Sequence, residues 1–196
     1  MKFQSGHYNS DEPREVPSED THDANLACIW DVGIQPGYKG KEPKAKVCIG
    51  FELAEKDSKG RPFLVFKEET ASLFKRDGKA ANLRKLVDML RPDADNGEDA
   101  VNAAGGTQVF CGLPCRVIVE HKNGKARASH VLKPSAAGRD RRLEGQYSED
   151  KPLGLAAWMA KSAMTPSQVE AAKARLAEAA AAGGAQDDPS DFGGGQ

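Results

Sequence analysis

The chain has 196 residues, 39% of them hydrophobic and 29% charged, with a formal net charge of −1. That length suits one domain with tails. No apolar run approaches the roughly 20 residues of a membrane span, and the N-terminal stretch lacks an apolar signal core, so a cytoplasmic protein without membrane contact is expected.

The near-zero total conceals a segregation. Residues 1–24 carry two basic and six acidic side chains, a net of −4, and residues 136–196 carry seven and nine, a net of −2. Between them, residues 25–135 carry nineteen and fourteen, a net of +5. A basic middle between acidic ends fits a domain that binds a polyanion, flanked by tails that repel the ligand or compete for its site.

Residues 1–24 have no apolar period and predict a disordered acidic arm. Order is expected from Asn25, with a strand over Leu26–Gly33 that places Trp30 in the core. Pro36-Gly37 and Gly40 mark a loop that carries Tyr38 among Lys39, Lys41 and Lys44. The second strand is the clearest element: Val47, Ile49, Phe51 and Leu53 alternate with Lys46, Cys48, Gly50 and Glu52, a period of two with one apolar face and one small or polar face. Asp57-Ser58-Lys59-Gly60 predicts a turn, and Pro62–Lys67 a third strand whose Phe63 and Phe66 point to opposite faces.

A helix is expected from about Gly78 to Leu90, because Leu83, Leu86, Val87 and Leu90 repeat at helical spacing and Arg91-Pro92 stops it. Residues 93–106 form a polar loop. Strands are expected at 107–110, 114–121 and 125–132, the last two joined by Asn123-Gly124, a strong hairpin signal. Residues 136–164 predict a linker with a short amphipathic helix that contains Leu155, Trp158 and Met159. Thr165-Pro166-Ser167-Gln168 combines a cap, a first-turn proline and a capping-box glutamine, and so starts an Ala-rich helix over 165–183. Residues 184–196 form a disordered acidic tail.

The resulting fold class is mainly β with one or two helices: a five-stranded, oligonucleotide-binding (OB)-like barrel over 25–135 with a helix between the third and fourth strands. Cys28, Cys48, Cys111 and Cys115 are expected as free thiols, since Cys111-x-x-x-Cys115 is a poor zinc spacing and no other feature is secretory. No phosphate-loop, dinucleotide or metalloprotease motif is present, and the pairs Glu68-Glu69 and Glu149-Asp150 lack a neighbouring base. No enzymatic activity, cofactor or metal is expected.

The stretch ANLACIWDVGIQPGYKGKEPKAKVCIGFEL, followed in order by ETASLF, KAANLRKLVDML and GLPCRVIVEHKNGKARASHVLKP, resembles phage-encoded proteins with an OB-fold core that bind single-stranded DNA. The likeness spans roughly residues 24–134. It implies sequence-tolerant binding of single-stranded DNA during phage DNA replication or recombination, inside an infected bacterial host. The C-terminal Asp187, Asp188, Asp191 and Phe192 are similar to the acidic, phenylalanine-bearing tails with which such proteins recruit replication or recombination partners.

Binding of this kind needs cations along the phosphates and flat rings under the bases. The candidates are Tyr38 and Phe66 for stacking, and Lys39, Lys41, Lys44, Lys46, Lys67, Lys75, Arg76, Lys122, Lys125 and Arg127 for phosphate contact, converging on one cationic channel. The competing expectation is a protein-interaction module of a viral replication complex, using the barrel, the Ala-rich helix and the acidic tail.

Overall fold

The computed structural model describes residues 15–37, 41–73, 75–76, 79–90 and 106–183. Its centre is a five-stranded antiparallel sheet of strands β1 (Thr21–Gln35), β2 (Lys44–Lys56), β3 (Pro62–Thr70), β6 (Pro114–Lys122) and β7 (Lys125–Leu132), in the order β3-β2-β1-β6-β7. A separate two-residue hairpin, β4 (Lys75–Arg76) with β5 (Lys79–Ala80), precedes helix α1 (Asn82–Leu90). Helices α2 (Gly154–Lys161) and α3 (Pro166–Gly183) follow the sheet.

The alternation in β2 produces a sheet with two buried faces. Val47, Ile49, Phe51 and Leu53 enter the main core with Val65, Val117, Val119 and the α1 residues Leu83, Leu86 and Val87. In β1 the ladder shifts by one residue between Leu26 and Cys28. Such a bulge exchanges the faces: Leu26 and Ile29 join the main core, while Cys28, Trp30 and Val32 join Cys48 in a second cluster on the opposite face, beneath Ala156 and Met159 of α2. Phe63 packs with the first cluster and Phe66 with the second, as their odd spacing requires.

The two edge strands, β3 and β7, lie alongside each other, but no ladder joins them and the sheet is not closed. At their approach β7 has one extra residue, Ser129, between Ala128 and His130. Its carbonyl accepts a 2.7 Å hydrogen bond from Lys67 Nζ on β3. The β6–β7 turn has φ of 54° at Asn123 and 69° at Gly124, the pair of positive angles that a type I′ turn demands and that Asn-Gly tolerates.

Several boundaries differ from expectation. β1 begins at Thr21, and residues 15–20 are placed against the sheet: the Glu15 carboxylate accepts from the Ser58 hydroxyl, Glu55 from Ser18 Oγ at 3.0 Å, and the Pro17 carbonyl contacts His121 Nε2 at 2.8 Å. The arm's acidic composition concealed these specific acceptors; residues 1–14 lie outside the described set. Residues 107–110 form a one-turn 3-10 helix instead of a strand. Glycines at 106 and 112 flank this turn with φ of 151° and 84°, and it drives Phe110, fully buried, into the main core. The helix start expected near residue 78 lies at Asn82, because residues 79–80 pair in the short hairpin. The capping box is formed: Thr165 N–H donates to Gln168 Oε1 at 2.8 Å.

Gly50 is the point of closest approach in the second cluster. A Cβ there would stand 2.6 Å from the Trp30 ring, inside any real contact distance. Gly50→Val is expected to lower unfolding free energy by about 1–3 kcal/mol through overpacking, read by urea denaturation; unchanged stability would show that Trp30 does not rest on Gly50.

Candidate nucleic-acid interface

The small or polar face of β2 is where an OB-like domain would meet a nucleic acid strand, and in this chain that face is covered. Residues 139–153 and α2 lie across it. The anchor is Glu52, whose side chain is fully buried. Its Oε1 accepts from Glu144 N–H at 2.9 Å and lies 3.2 and 3.3 Å from the two terminal nitrogens of Arg141; its Oε2 accepts from Gly145 N–H at 2.8 Å and from the Tyr147 hydroxyl at 2.8 Å. Arg141 also donates to Asn25 Oδ1 at 2.5 Å and to the Leu53 carbonyl at 2.7 Å. The Asn25 amide in turn donates to the Gly112 and Arg141 carbonyls at 2.8 and 3.0 Å. Every charge in the group thus has its partners, as burial demands.

Burial by itself pushes the Glu52 carboxyl up. The two backbone N–H groups of Glu144 and Gly145, the Tyr147 hydroxyl and the Arg141 guanidinium outweigh that, and they hold it below the usual carboxylate range. The same contact, with burial first, raises the Tyr147 phenol. Burial pushes the Cys48 and Cys115 thiols up to about 12, so both stay protonated and inert. Cys28 is raised by its hydrogen bond with Cys111 and by burial. All four cysteines are free.

The structure does not gather the expected contact residues into one channel. Lys44 pairs with Gln35 at the last position of β1, and Lys46 forms a 2.9 Å ion pair with Glu68. Lys122, Lys125 and Arg127 flank the β6–β7 turn beyond the other end of β1, since Thr21 pairs with Ile118 and the Asp20 carbonyl accepts from Val119 N–H. Lys67 points to the opposite face from Lys46, into a cleft of about 320 Å³ between β3, α1 and β7. There it lies 3.2 Å from Glu69, a carboxylate that the fold buries. Residues 46 and 67 have opposite parity with respect to the core, and their shared charge hid it.

Phe66, expected to stack on a base, is instead half-buried against Trp30, with ring centroids 6.1 Å apart, and beneath Gly154. Lys41, Lys44, Lys122, Lys125 and Arg127 are exposed, and among the described residues no acidic partner is within ion-pair reach of them. Lys75 and Arg76 form β4, and their side chains lie outside the described set. So do Tyr38, Lys39, Asp187, Asp188, Asp191 and Phe192.

Glu52 was visible only as one residue of the polar face. The signal that pointed to its burial is its pair of neighbours on that face, Cys48 and Gly50, small enough to leave room for a covering segment. Among the described residues no helix is long and apolar enough to cross a membrane, and no group of three or more His, Cys, Asp or Glu side chains gathers as a metal site. Comparisons with family models, with curated proteins and with solved structures gave no match.

Because the folded carboxyl of Glu52 titrates below its unfolded value, its contribution to stability is complete above the ordinary carboxylate pKa of about 4.3 and is lost as pH falls through the folded value. Unfolding free energy is expected to fall in acid below about pH 4.3, with a shallower fall in Glu52→Gln; parallel pH profiles for the two proteins would contradict this. Arg141→Ala, which leaves the buried carboxylate uncompensated, is expected to cost about 3–5 kcal/mol in denaturant titration.

Proposed function

We propose that this chain binds single-stranded DNA without strong sequence preference, as a non-enzymatic protein of phage DNA replication or recombination, on an OB-like barrel that remains open between β3 and β7. The observation that supports this reading is the topology: β1 pairs with both β2 and β6, and helix α1 falls between β3 and β6. That order supports a reading as the five-stranded, partly open barrel whose strand 2–3 face and two flanking loops hold oligonucleotides.

Charge supports the same reading. The two loops that would flank the ligand are the β1–β2 connection, with Lys41 and Lys44, and the β6–β7 turn, with Lys122, Lys125 and Arg127. They stand at opposite ends of the sheet, so the strand is expected to run along its length instead of through a narrow channel. At about 3.3 Å per residue the 13 residues of β2 span about 40 Å, in keeping with sites of roughly 4–16 nucleotides per OB domain.

Fluorescence anisotropy of a labelled oligo-dT tests the reading. Binding should weaken with salt at a log–log slope of about −0.7 per phosphate neutralised. Reversing Lys122, Lys125 and Arg127 to Glu together should weaken affinity by on the order of tenfold or more while circular dichroism stays unchanged. No affinity for oligo-dT at low salt would reject DNA binding in favour of a protein-interaction module.

A further inference from the structure

The chain has two tryptophans, and the fold treats them in opposite ways. Trp30 is fully buried on the β1–β3 face, and its indole N–H donates to the Ser148 carbonyl at 2.8 Å. Phe66, half-buried, packs beside it, so the rings of these strands offer a base little open surface. Trp158 lies on α2, turned away from Ala156 and Met159, and is 64% exposed. Leu153, at the start of the same helix, is 42% exposed. Two of the three exposed large hydrophobic side chains among the described residues therefore belong to the segment that covers the sheet.

Exposure of one ring is ordinary on a protein surface; its surroundings are what give it meaning. Lys161 follows Trp158 by three residues, so the two share one side of the helix. Lys161 also borders a groove of about 570 Å³ whose walls include Pro36, Met164, Ala171 and Arg175. Neither Lys161 nor Arg175 has an acidic partner among the described residues. α2 is moored to the end of β1: Gln35 Nε2 donates to the Met159 carbonyl at 3.0 Å, and Met164 N–H donates to the Ile34 carbonyl at 2.8 Å. Gln35 is itself the ladder partner of Lys44. An exposed indole on a fixed helix thus stands at the same end of the sheet as Lys44, Lys161 and Arg175.

We propose that Trp158 is a base-stacking residue for bound single-stranded DNA, with Lys161, Arg175 and Lys44 neutralising the phosphates beside the stacked base. The proposal rests on the single-strand-binding reading above and gives it a stacking site outside the sheet face. An indole offers a π-face to any base, so stacking here is tolerant of sequence. Because α2 is held by Gln35 and by the segment anchored on Glu52, the helix that carries the ring needs no ordering when a base arrives.

The experiment uses the full chain and labelled oligo-dT. With Trp30 buried, solvent-accessible tryptophan emission comes from Trp158. Titration with oligo-dT is expected to quench that emission and to protect it from iodide. Trp158→Ala should weaken binding about 5- to 150-fold, Trp158→Phe much less, with circular dichroism and thermal midpoint unchanged in both. Oligo-dT binding by the wild type with unquenched emission, and equal affinity for Trp158→Ala, would overturn the stacking role while leaving DNA binding intact. The same holds if Trp158→Ala keeps its affinity but loses a self-association seen by sedimentation, which would make the ring a contact between copies. No binding by the wild type would reject the underlying reading and this inference with it.

Discussion

A carboxylate without access to water organises the outer half of this domain. Glu52 sits in β2 between Phe51 and Leu53, and leaving such a group buried and unpaired would cost several kcal/mol. The chain meets that cost by bringing residues 139–147 across the sheet, where two backbone N–H groups, a phenol and a guanidinium converge on the carboxylate. The arginine that answers Glu52 also holds Asn25 on β1 and the Leu53 carbonyl on β2. One ion pair thereby ties two strands of the sheet to a segment almost ninety residues later in sequence.

Much follows from that tie. Once residues 141–147 are fixed, Ser148 is placed to accept the Trp30 indole N–H, and α2 falls over Trp30, Cys48 and Phe66 to complete the second cluster. The sheet acquires a core on each face, and a segment that composition assigned to a linker becomes part of the domain. The same covering buries Trp30, half-buries Phe66 and leaves Trp158 facing solvent. A ligand that binds this side of the molecule meets α2 and the loops at the sheet's ends, with the β2 face itself already occupied by the chain.

The parts of this arrangement that were legible in the sequence are local and periodic. The alternation of Val47, Ile49, Phe51 and Leu53, the α1 stripe of Leu83, Leu86 and Val87, the Asn123-Gly124 turn and the Thr165–Gln168 cap each depend on neighbours within a few residues, and each element stands where its pattern put it. The parts that were not legible depend on long-range partners or on a single inserted residue. The bulge between Leu26 and Cys28 reverses which side chains of β1 face the core, and no propensity marks it. The burial of Glu52 is set by Arg141, and the placement of residues 15–20 by Glu55, Ser58 and His121. Among the candidate cations, Lys41, Lys44, Lys122, Lys125 and Arg127 are exposed, yet charge carries no information about parity, so Lys46 and Lys67 were grouped although they lie on opposite faces.

Amide hydrogen exchange at Glu144 and Gly145 tests the central claim most directly. If Glu52 anchors the covering segment, these two N–H groups should exchange at neutral pH as slowly as the amides of β1 and β2, and Glu52→Gln should speed them by orders of magnitude more than it speeds α1. Exchange at the rate of an open chain in the wild type, or protection that Glu52→Gln leaves untouched, would contradict the account.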